Sequence, residues 1–209
     1  MKEKSKSIFV LLLFVVLTLT FFSCAGIKDT ITNVQRLQFK LGSVDNFSLA
    51  NVKLSNINSI SNISLTDGAL LLAAFGSGQL PASFTLNVIA KNPNDGTGGT
   101  PNTTAIIKSL AWRLLIDDKE TINGNIDKNI EVPGVGQATT IPVAISLDLL
   151  KFFKDQGYES LVNLALALGG SSGSSARLTL KVQPTIDTFL GPITYPGEIS
   201  VIDKEFRGQ

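Results

Sequence analysis

The sequence predicts a mostly β protein, an antiparallel β-sandwich with one or two accessory helices. Three observations carry that prediction. Apolar residues recur with a period of two in five separate stretches, which is the mark of strands with one buried face. Turns rich in glycine, proline, asparagine and aspartate separate those stretches. Two other segments break the period with helical spacing and end in glycine.

Taken in order, "RLQFKL" alternates Leu37, Phe39 and Leu41 against polar neighbours, and "SFTLNVIAKN" does the same with Phe84, Leu86, Val88 and Ala90. "SLAWRLLI" sets Leu110, Trp112, Leu114 and Ile116 on one face, "TTIPVAISL" sets Ile141, Val143, Ile145 and Leu147, and "ARLTLKV" adds Leu178, Leu180 and Val182. Asp117 and Asp118 fall between two strand-like runs, where they suit a hairpin connection. "DGALLLAAF" (67–75) predicts a brief helix ending before Gly76. Residues 147–170 carry Leu149, Leu150, Phe153, Leu161, Leu164, Ala165 and Leu168 at helical spacing, with Gly157 dividing two helices. In "VKLSNINSISNISL" Leu54, Ile57, Ile60 and Ile63 recur every third residue, a period of neither element. A strand that loses its register near Asn56 through a bulge is expected there.

The N-terminus has a different chemistry. Lys2, Lys4 and Lys6 precede an uncharged apolar run, residues 8–22, as the charged and apolar regions of a secretory signal do. As a helix that run reaches about 22 Å, short of a hydrocarbon core of about 30 Å, so a signal is expected rather than a permanent span. "FFSCAG" (21–26) follows, and holds the chain's single cysteine, Cys24, among the small residues Ser23, Ala25 and Gly26. It resembles the lipobox of bacterial lipoproteins, in which the thiol takes a diacylglyceryl group and becomes the first residue after cleavage. Phe21 departs from the leucine usual at its position. The alternatives are a buried structural cysteine or an ordinary signal beside an incidental thiol. The expected organisation is a signal over 1–23, lipidated Cys24 and a tether over 24–36, and one domain over 37–209. The lipobox resemblance implies a cell-envelope protein held to a membrane by its lipid. Ala25 lacks the aspartate associated with inner-membrane retention, which favours the outer membrane. Without residues 1–23 the formal charge balance passes from +1 to −1, because three lysines and one glutamate leave. A near-neutral domain gives no electrostatic footprint for nucleic acid.

Catalytic chemistry finds little support. The chain has no histidine, which removes the usual zinc sites, Cys-His pairs and the Ser-His-Asp arrangement together. "NPNDGTGG" (92–99) lacks the ligand spacing of a calcium loop, and "GSGQLP" lacks the lysine and helix of a phosphate cradle. No enzyme, cofactor or metal site is expected.

Several motifs resemble the group 2 late-embryogenesis-abundant (LEA-2) family, known in bacteria as WHy domains. They are the strand "FTLNVIAKNPN" closing on Asn92-Pro93-Asn94, and the strand pair "LAWRLLIDDKETINGNI" with Gly124. They also include the turn and strand "VPGVGQATTIPVAI" with Pro142, and "FLGPITYPGEI" from Gly191 to Pro196. The insertion "DGTGGTPNTT" and the long helical segment depart from the family's pattern. The resemblance implies an immunoglobulin- or fibronectin-III-like sandwich and a role in water stress or envelope protection, with no catalytic residues. The first functional expectation is therefore a protective or scaffolding envelope lipoprotein that works through protein or surface contacts. An alternative is a module for lipid or another hydrophobic ligand, contacted by Phe152, Phe153, Leu161 and Leu168 where the helices meet the sandwich. A hydrolase is the least supported class.

Overall fold

The computed structural model describes residues 32, 34, 36–54, 57, 59–97, 102–134, 136–169 and 177–201. The predicted signal, Cys24 and most of the tether lie outside the described residues. Alternation becomes pairing as predicted. Strands β1 (Gln38–Leu49), β2 (Val52–Lys53), β3 (Pro81–Lys91) and β7 (Ala138–Asp148) form one antiparallel sheet in the order β2-β1-β3-β7. The second sheet runs β10 (Ile199–Val201), β8 (Leu178–Asp187), β4 (Ala105–Ile116), β5 (Lys119–Ile126). There β6 (Ile130–Val132) also pairs with β4, and β9 (Ile193–Thr194) with β8. The inward side chains of both sheets join in one continuous core, so the fold is a sandwich.

The inner face follows from the period of two. Phe84, Leu86, Val88 and Ala90 of β3 and Ile141, Val143, Ile145 and Leu147 of β7 are all buried, and the intervening positions are more exposed. Pro142 lies on β7, an edge strand, where a missing N–H costs no ladder bond on the open side. Asp117 and Asp118 join β4 to β5 in a two-residue connection with φ of 50° and 63°. Those signs belong to the turn whose twist matches a hairpin. Asp117 Oδ1 accepts from the Arg177 N–H at 2.8 Å, tying the turn to β8.

Gly124 sits directly across from Trp112, and a Cβ there would come within 2.5 Å of the indole. The ring therefore lies over the space a side chain would fill, a cross-strand device that covers a strand glycine. Gly124→Ala is expected to push the indole aside and to cost about 1–3 kcal/mol. Trp112 is the chain's single tryptophan, so its emission reports the displacement directly. An unchanged emission maximum and melting temperature would refute this packing.

Three helices gather at one end. Helix α1 (Leu65–Gly76) begins two residues before the predicted stretch because Ser64 caps it. The Ser64 hydroxyl accepts from the Asp67 N–H at 3.1 Å and donates to its carboxylate at 2.7 Å. The long helical segment forms two helices, α2 (Leu149–Phe153) and α3 (Tyr158–Leu168), divided at Gly157 as expected. Asp148 caps α2 by accepting from Leu150 N–H and also accepts from Leu80 N–H, joining that helix to the start of β3.

The period-three segment differs from expectation. The strand stops at Lys53, Leu54 is buried, and Ile60–Asn62 form a single 3-10 turn, while Asn56 lies outside the described residues. Register shifts are seen in β1, between Leu41 and Val44 and between Asp45 and Ser48, with Asn46 at φ 56°. At the second of these shifts the extra residue takes positive φ, a conformation that asparagine tolerates.

Candidate functional site

The helical end holds the four side chains singled out as hydrophobic-ligand contacts. Leu161, Leu168 and Phe153 belong to the same core as the strands, with exposures of 0%, 2% and 9%, and Phe152 is half-buried against it. Gly169, just past α3, brings that helix end against Phe47, which stacks on Phe84 at 5.3 Å. These positions are what helices closing the end of a sandwich require. Lys119 from β5 donates to the Phe152 carbonyl, and its ammonium lies 5.2 Å from the Phe153 ring centroid. Phe75 of α1 meets Tyr158 edge to face at 5.6 Å, and burial raises the Tyr158 phenol above its ordinary pKa.

At the opposite end two of the motifs behind the family resemblance meet. The Asn92 side chain is fully buried; its Nδ2 donates to Thr103 O at 2.8 Å and to Val132 O at 3.1 Å. Its Oδ1 accepts from the Asn94 N–H at 3.0 Å. One amide thus satisfies backbone groups from the β3–β4 connection and the end of β6. Gly134 fits against the same node: a Cβ would stand 2.3 Å from Asn94 O and 2.6 Å from Thr103 O. Asn-Pro-Asn and Pro-Gly, apart in sequence, form one buried joint.

Charged groups lie outside the core. On the outer face of the second sheet Arg113 binds both carboxylate oxygens of Glu198 and also reaches Glu120. The guanidinium holds the Glu198 carboxyl below its ordinary range, and the Arg113 pKa is raised chiefly by the same contact. The pair's contribution is therefore present above the unfolded pKa of Glu198 and lost as pH falls through its lower folded value. The Glu198 carboxylate stays ionised against that cation, an arrangement suited to holding strands and ill-suited to supplying a general acid. Among the described residues no group of three or more His, Cys, Asp or Glu could hold a metal, and no helix is long and apolar enough to cross a membrane.

Two exposed apolar features escaped the sequence reading. Helix α1 turns Leu65, Leu70 and Leu72 to solvent and buries only Leu71. Phe189 and Leu190 project from the turn between β8 and β9 with 77% and 47% exposure. The available signal was an apolar pair directly before Gly191-Pro192, since turn tips rarely point large apolar groups at water.

No known family profile matches the chain, and neither does any curated protein. Two solved structures are similar in outline. One is a protein from Archaeoglobus fulgidus, with 10% identity and a TM-score of 0.36, over 81% of this chain and 98% of that one. The other is the solution structure of a candidate late embryogenesis abundant (LEA) protein, with 14% identity and a TM-score of 0.39, over 93% of this chain and 84% of that one. Likenesses this distant assign no activity.

Proposed function

We propose that this chain is a non-enzymatic envelope lipoprotein, anchored through Cys24, whose LEA-2-like sandwich protects or scaffolds through contacts with proteins or surface polymers. One observation carries the anchor: Cys24 stands among small residues directly after an apolar run, twelve residues before the tether ends at Arg36. A thiol accepts a lipid far better than the neighbouring Ser23 hydroxyl would, and two or more acyl chains hold a protein firmly where one does not. The sandwich supports the other half of the proposal. Its most deeply buried polar side chain, Asn92, is occupied with backbone, and the Arg113 charge cluster ties strands together. Neither leaves a group poised for chemistry. The outer membrane is the favoured location, on the strength of Ala25 following the cysteine.

Cys24→Ala tests the anchor in cells. The wild-type chain is expected in the membrane fraction, with an intact mass raised by diacylglyceryl modification of a chain that begins at Cys24. The variant is expected to lose that mass increment and to be extracted from membranes without detergent. Equal retention of the variant, with the apolar run still attached, would replace the lipid anchor with an uncleaved span.

A further inference from the structure

The strand directions sort the exposed apolar features into opposite ends of the sandwich. Gln38 at the start of β1 pairs with Lys91 at the end of β3, so the chain enters the domain at the Asn92 end. Ile106 near the start of β4 pairs with Asp187 at the end of β8, so the turn that follows, carrying Phe189 and Leu190, lies at that end as well. Helix α1 leads into Pro81 at the beginning of β3, and so belongs to the other end. With eleven residues in β3, the two ends stand about 36 Å apart.

The turn is built to present its tip. The Gly191 N–H donates to Thr188 O at 2.9 Å, which places Phe189 and Leu190 at the two central positions. The Thr188 hydroxyl donates to Gly191 O at 2.7 Å and accepts from the Leu190 N–H at 3.2 Å. Gly191, at φ 99°, supplies a conformation that side chains resist. A polar frame thus holds two large apolar side chains outward.

We infer that Phe189 and Leu190 form a bilayer-contacting tip, which enters the lipid interface and stands the tethered sandwich on its Asn92 end. The inference rests on the proposed anchor. Val34 is helical and buried in the core, so a lipidated Cys24 lies ten residues from the packed domain, a span of about 35 Å when fully extended. The Asn92 end is therefore within reach for most tether conformations, and the α1 end only when the tether is stretched taut, which chain entropy opposes. The tip and the anchor then act on one surface, so that the second contact is effectively intramolecular. The leucines of α1 face away from the bilayer, towards the compartment.

The test uses the lipidated full chain in vesicles of phosphatidylethanolamine and phosphatidylglycerol, with and without brominated acyl chains. Phe189→Trp adds an emission over that of Trp112. It is expected to shift to shorter wavelength on reconstitution and to be quenched at least twofold by bromine, whereas Leu72→Trp on α1 is not. An unquenched Phe189→Trp in protein that floats with the vesicles overturns the tip while leaving the anchor standing, and so does quenching confined to Leu72→Trp. Flotation of Cys24→Ser as complete as the wild type would sink the anchor instead, and quenching at position 189 would still decide the tip. A double change to serine at Phe189 and Leu190, with its melting temperature retained, is expected to transfer between vesicles several-fold faster. Transfer at the wild-type rate counts against the tip.

Discussion

Asn92→Leu is expected to lower the unfolding free energy by about 3–5 kcal/mol, because it removes the side-chain partner of three backbone groups while nearly preserving volume. The groups are the carbonyls of Thr103 and Val132 and the N–H of Asn94. An orphaned buried group costs about 1–3 kcal/mol, and water at the rim of Thr103 offsets part of the sum. Asn92→Asp separates the donor role from the acceptor role. It keeps an acceptor for Asn94 but sets a buried carboxylate against two carbonyl oxygens, which raises its pKa. For a carboxyl whose folded pKa lies above the unfolded one, the folded state binds more protons, so stability is lost as pH rises. Relative to wild type at each pH, Asn92→Asp should therefore be worst near neutrality and recover as the solution is acidified towards about pH 4. Urea unfolding at several pH values measures both variants. A loss below about 1 kcal/mol for Asn92→Leu would mean that water satisfies these groups and that the node is incidental.

How much of this was legible depended on how local each interaction is. The inward residues of β3 and β7 could be named from alternation alone, since a strand's faces are fixed by parity and each strand keeps its parity throughout. β1 does not. After Leu41 two register shifts take Ser43 and Asp45 out of the buried face and half-bury Val44 instead, and the odd parity returns only at Phe47 and Leu49. Strands of two or three residues such as β2, β6, β9 and β10 are too short to show a period. The helix division at Gly157 was readable because caps and glycine act within a turn or so of the chain. The importance of Asn92 was readable as a family resemblance, while its role was hidden, because its partners lie 11 and 40 residues away and meet only in the folded chain. Cys24 is the reverse case: the chemistry proposed for it rests on six adjacent letters, and it lies outside the described residues.

The same non-local joint sets the second large expectation, that Gly134→Ala costs at least about 3 kcal/mol. The reason is steric rather than torsional. Gly134 does not occupy the left-handed region, yet its missing side chain would fall 2.3 Å and 2.6 Å from two backbone carbonyl oxygens. A flexible side chain could swing aside, but a backbone carbonyl moves only with the chain that carries it. Here one belongs to Asn94 and the other to Thr103, and the latter also accepts from Asn92. Accommodating one methyl group therefore pulls apart the hydrogen bonds that Asn92→Leu removes, and the two changes must overlap. In a double-mutant cycle the combined loss is expected to fall short of the sum by about 1–3 kcal/mol. Gly136, two residues on, provides the control. It does occupy the left-handed region, at φ 73°, with nothing within 4 Å of a Cβ, so Gly136→Ala should cost only about 1–2 kcal/mol. If the two alanine variants melt together, or if Gly134→Ala and Asn92→Leu add fully, the Pro-Gly turn and the Asn-Pro-Asn motif are separate features and not one joint.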